Sequence, residues 1–93
     1  MDFIVLQKPF VYEDCPIVIR RIDDHFEYIT CIDNQIYSSH IVARKSLGQR
    51  LFGLSYTPAQ LKNITNYVIA MAQATINTVK GIQPKEGEET LIV

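Results

Sequence analysis

The sequence predicts an α+β fold: an antiparallel β-meander of about four strands, followed by one long C-terminal helix packed on one sheet face. Three observations carry this. Up to Ala43 the chain is rich in β-branched and aromatic residues. Those runs are broken by two-residue acidic pairs of the kind that close tight hairpins. Beyond Thr57 the apolar residues recur at three- and four-residue intervals, the period of a helix. Ninety-three residues, 47% hydrophobic and 20% charged, make one globular domain with no room for a second core.

The first strand is expected over about 3–12. Pro9 makes it irregular, because proline cannot donate to a ladder and suits an edge. Glu13-Asp14, ahead of Cys15-Pro16, is the first break. Strands follow over about 16–22, 25–32 and 35–43, joined by Asp23-Asp24 and Asp33-Asn34, residues that tolerate the positive φ of a primed turn. A basic connection spans 44–56, with a short helical turn placed around Ser46 to Phe52. The helix is expected over about 58–80: Thr57 caps it, Pro58 suits its first position, and Gly81 then Pro84 end it. At ~1.5 Å per residue it is ~35 Å long, enough to cross the whole meander. Leu61, Ile64, Val68, Met71, Ala72, Thr75, Val79 and Ile82 form its apolar stripe, widened by Ile69 and Ile76. In a minority reading Ile69 and Ile76 pack on another protomer. Lys62, Asn63, Asn66, Ala70, Gln73, Asn77 and Lys80 fall on the other side. The domain thus occupies 1–82; 83–93 reads as a mobile acidic tail in which Leu91-Ile92-Val93 can add an edge strand.

The two turns fix a register, and a one-residue slip would exchange the faces. Asp33-Asn34 sets Glu27 opposite His40, Ile29 opposite Ser38 and Phe26 opposite Ile41. Asp23-Asp24 sets Arg20 opposite Glu27, Val18 opposite Ile29 and Arg21 opposite Phe26. One face then collects Ile17, Ile19, Phe26, Tyr28, Ile32, Tyr37 and Ile41 with Thr30, Ser39 and Arg21. That face is the expected core, beneath the helix. The other collects Val18, Ile22, Ile29, Ile36 and Val42 around the row Arg20–Glu27–His40, with Ser38, His25 and Cys31 beside it. Five aliphatics exceed what a solvated face of so small a domain carries, and contiguous apolar patches mark interfaces. The expected partner is a second copy, a dimer packed sheet against sheet through Val18, Arg20, Glu27, Ile29, Ile36, His40 and Val42.

Other chemistries have weaker support. As a catalytic set, Arg20, Glu27 and His40 lack a glycine-rich oxyanion loop, and a row of opposite charges is an ordinary sheet stabiliser. His25, His40 and Glu27 make a metal set only on paper, so no metal and no cofactor is expected. Cys15 and Cys31 fall on opposite faces, too few and too far apart for a disulfide framework, which fits a reducing cytoplasm. No apolar run is long enough to span a membrane, and the first residues are too acidic for a signal peptide.

Charge is segregated along the chain. Residues 1–33 carry a net −4, residues 34–85 contain no acid and carry +6, and the last eight carry −3. Arg44, Lys45 and Arg50 therefore form the second candidate site, for an anionic ligand or a nucleic-acid backbone beside the start of the helix. Phe52 and Tyr56 either stack on bases or close the core. Gly48 and Gly53 match no phosphate-loop or dinucleotide pattern. The richness in Ile and Asn is of a kind met in small bacterial proteins, but no motif assigns a family. The expected role is a non-enzymatic interaction module.

Overall fold

A computed structural model of the chain describes residues 4–82. Phe3, the tail 83–93 and the edge strand expected of its last three residues lie outside the described residues. Four strands, β1 (Ile4–Tyr12), β2 (Cys15–Ile22), β3 (His25–Ile32) and β4 (Gln35–Val42), form one antiparallel sheet in the order β1-β2-β3-β4. A short helix α1 (Leu47–Leu51) and the long helix α2 (Pro58–Lys80) follow.

The register follows from the turns. Glu13 and Asp14 have φ of 49° and 62°, and Asp33 and Asn34 have 50° and 66°, the paired left-handed conformation that lets two residues reverse a twisted strand. At the middle turn only Asp23 is left-handed. Arg20 pairs with Glu27, Val18 with Ile29, Arg21 with Phe26, Glu27 with His40 and Ile29 with Ser38, as the turns require. Pro9 sits within the register shift between Gln7 and Phe10, on the edge strand where its missing N–H breaks no central ladder.

Side-chain parity then divides the sheet. Cys15, Ile17, Ile19, Phe26, Tyr28, Thr30 and Ile32 are buried on one face, against Val68, Ala72 and Ile76 of α2. The helix starts and ends as its sequence signals. The Thr57 side chain accepts from the Gln60 N–H, Pro58 occupies the first turn, and Gly81 ends it at φ 69°. Polar ties fix the helix on the sheet: Tyr28 and Thr75 hydroxyls lie 2.6 Å apart, and Thr75 donates onward to the Met71 carbonyl. Tyr12 donates to Asn77 Oδ1 at 3.0 Å, so Asn77 belongs to the packed side and not to the solvent side assigned from periodicity.

Two further details differ from the sequence expectation. The centre of the buried stripe includes Ile76, which is fully buried and so leaves no surface for another protomer, while Val79 is exposed. The last helical turn has reached the β1–β2 turn at the end of the sheet, where Lys80 Nζ donates to the Glu13 carbonyl. α2 packs most closely on β3, with lesser contact to β2 and β4, and its C-terminal part reaches β1 at Tyr12. The inward residues of β4 are accordingly covered in part: Tyr37 and Ile41 are half-buried and Ser39 is exposed.

Thr30 is 1% exposed, and its hydroxyl has no hydrogen-bond partner among the described residues. A desolvated hydroxyl without a partner is destabilising by about 1–3 kcal/mol. Thr30→Val keeps the shape and removes that term, so it should raise stability by about 1 kcal/mol and the melting temperature by roughly 4–8 °C. Calorimetry checks this; a lower melting temperature would mean that the hydroxyl is satisfied.

Candidate functional site

Two surfaces collect the residues singled out by sequence. The first is the sheet face away from α2. Val18, Ile22 and Ile29 lie half-buried in its middle, while Val42 and Ile36 stand open at β4, Ile36 at 69% exposure. The edge strand adds Val5 and Val11, both more than half exposed; Val5 pairs with Arg20 and Val11 with Pro16, which places them on the same face. Arg20 Nε donates to Glu27 Oε1 at 2.8 Å, so the two central charges of this face neutralise each other. His40 lies against His25, ring centroids 5.7 Å apart, and no hydrogen bond joins it to Glu27 among the described residues. Ile22, His25, Glu27 and His40 line a shallow depression of about 200 Å³. Among the described residues no group of three or more His, Cys, Asp or Glu is placed to hold a metal ion. Cys15 is buried and Cys31 half-buried, both as free thiols.

The second surface lies at the end of the sheet where the β2–β3 turn, the exit of β4 and the entry to α2 meet. The Ala43 N–H donates to the Asp24 carbonyl at 2.9 Å, extending the ladder by one residue. The Ala43 carbonyl accepts the hydroxyl of Tyr56, the residue before the helix cap. Tyr56 is buried with its ring edge-on to Phe26, centroids 5.5 Å apart. Two cations lie over that ring: Arg21 Cζ at 4.6 Å and Lys45 Nζ at 5.1 Å from its centroid. Arg44 and Arg50 complete a cleft of about 550 Å³, bordered by Asp23, Asp24 and Val42. The fold therefore brings Arg44, Lys45 and Arg50 together. Among the described residues none of the three forms an ion pair.

The connection that carries these cations is held by side-chain amides, because α1 buries no residue. Ser46 and Gln49 form a capping box at α1, and Thr57 and Gln60 form a second at α2. Gln49 Nε2 donates to Gln60 Oε1 at 2.7 Å, and Gln60 Nε2 returns a bond to Gln49 Oε1 at 3.1 Å. The two helix starts are thus bolted to one another. Leu47, Leu51, Phe52 and Leu54 project outward from this segment, Phe52 at 78% exposure. Of the two aromatics left open by the sequence, Tyr56 closes the core and Phe52 does not.

No family model, no curated protein and no solved structure matches this chain. Its function is therefore argued from these two surfaces. Sequence reasoning named Tyr56 beside the basic segment but passed over Arg21 in the cleft, and Val5 and Val11 on the open face. The serine-x-x-glutamine and threonine-x-x-glutamine spacings were a signal for the coupled caps.

Burial pushes the Tyr56 phenol above its ordinary value near 10; the Asp24 charge adds to this and Arg21 opposes it. A raised phenol favours the protonated native state, so its contribution is complete below pH 10 and is lost as pH rises above that value. Tyr56→Phe should cost about 1–2 kcal/mol near neutral pH, by leaving the Ala43 carbonyl without this donor. It should also lessen the fall in urea midpoint between pH 9 and 11. An unchanged fall would place the phenol in water.

Proposed function

We propose that the protein is a non-enzymatic self-association module, two copies of which meet through the sheet face that α2 leaves open. The observation that carries this reading is a set of five aliphatics on one face, Val18, Ile29 and Ile36 on one side of the row Arg20–Glu27–His40 and Ile22 and Val42 on the other, with Arg20 and Glu27 of that row paired to each other. Val5 and Val11 extend it to the β1 edge. Desolvating a lone charge would oppose association, whereas Arg20 and Glu27 enter already paired. Size favours a second copy as well. Four strands about 4.8 Å apart and eight or nine residues long at ~3.3 Å each make a face of roughly 500 Å². Two such faces in contact reach about 1,000 Å², the lower range of specific interfaces. Two antiparallel sheets stack at about 10 Å with their inner side chains interleaved, which suits the β-branched residues here. His40 and the Arg20–Glu27 pair then fix the relative register of the copies. A cytoplasmic setting accords with two free thiols. Among the described residues no helix is long and apolar enough to cross a membrane.

Ile29 lies on β3 between Val18 and Ser38, at the middle of the face. Ile29→Asp should therefore give folded monomer, with unchanged circular dichroism and half the mass by sedimentation velocity. An oligomer that survives this change, or one that dissociates with Leu51→Asp instead, assigns association to another surface and contradicts the reading.

A further inference from the structure

The cleft at the other end of β4 is a separate feature, meeting the open face only at Val42. Its cations come from two parts of the chain: Arg21 from β2, and Arg44, Lys45 and Arg50 from the connection between β4 and α2. They converge on a volume of about 550 Å³, within the range of small-ligand sites. Two of them are placed in advance. Arg21 lies over the Tyr56 ring while its Nε donates to the Asp23 carbonyl at 2.7 Å, which leaves its terminal nitrogens for a ligand. Lys45 lies over the same ring. Cations already ordered lose little freedom on binding, so more of the contact energy remains for the ligand.

The balance of charge narrows the ligand class. Among the described residues, four cations against the two carboxylates of Asp23 and Asp24 leave a net charge of two positive in the cleft. A phosphate monoester carries about two negative charges near pH 7, and guanidinium groups match its oxygens in pairs. Asp23 and Asp24 are acceptors only and suit a molecule that also offers hydroxyl donors. They also disfavour a continuous polyanion, whose neighbouring phosphates would be brought against them. The ring faces of Tyr56 are not offered to a base, since it is buried between Phe26 and the cations. We propose that this cleft binds a small hydroxylated phosphate monoester, of the sugar-phosphate class, with Arg44, Lys45, Arg50 and Arg21 on the phosphate and Asp23 and Asp24 on the hydroxyls.

The test is a titration of the full chain followed by amide chemical shifts, with ribose 5-phosphate, ribose, inorganic phosphate and a single-stranded 12-nucleotide DNA as probes. Ribose 5-phosphate should saturate with a dissociation constant on the order of 1 mM or below, with shifts centred on Arg44, Lys45, Arg50 and Tyr56. Arg44→Ala with Arg50→Ala, both at exposed positions, should weaken it about tenfold or more. Asp23→Asn with Asp24→Asn should narrow its preference over inorganic phosphate. Absence of saturation at ~20 mM, or equal binding of ribose, overturns the proposal. So does tighter binding of the DNA with steep salt dependence, which would make the cleft part of a polyanion surface.

Discussion

The period of two along a β-strand, locked by two-residue turns, is the constraint on which the rest of this molecule depends. The left-handed pair at Asp33-Asn34 and the turn at Asp23 leave β2, β3 and β4 no slack for a register slip, while β1 shifts register against β2 at two points. Every strand residue is thereby committed to one face or the other. A single helix is about 10 Å wide and the sheet is roughly 19 Å across, so α2 shields one face along β3 and its neighbours and nothing else. The apolar residues of the other parity, from Val18 to Val42, are therefore left as a surface. Their exposure among the described residues is a consequence of topology, because no second layer of residues 4–82 covers that face.

The same geometry builds the cleft. In a meander, alternate turns lie at the same end of the sheet, so the β2–β3 turn and the exit of β4 are neighbours. The Ala43–Asp24 and Tyr56–Ala43 hydrogen bonds hold them together. Arg21 has inward parity, but it stands near the end of its strand and lies against Tyr56. A residue that would be an awkward buried charge elsewhere becomes a stacked cation at the rim. The coupled glutamine caps keep the connection in one conformation, although its leucines and Phe52 bury nothing in the core.

Most of this fold was legible in the sequence because it is written locally. Acidic pairs marked the turns, the turns fixed the pairing, and Thr57-Pro58 and Gly81 bounded the helix. What could not be read depends on where layers end. Ile76 and Val79 look alike in periodicity, yet one sits over the sheet and the other at its end. Tyr37 and Ser39 share a parity with Phe26, but the helix axis follows β3 and leaves β4 partly open. Of the two candidate sites, Arg44, Lys45 and Arg50 were visible as a cationic run without acids. Tyr56 was visible beside them as an aromatic, but Arg21 was not, because only the three-dimensional meeting of a strand end and a helix cap brings it near.

The most direct test of the open face is a mixed sample in which half the copies are isotope-labelled, with nuclear Overhauser effects filtered for contacts between copies. Cross-peaks between methyl groups of Val18, Ile29, Ile36 and Val42 are predicted, because these residues meet across the two sheets. A sample that gives no such contacts at millimolar concentration, or contacts confined to Leu47, Leu51 and Phe52, would contradict association through this face.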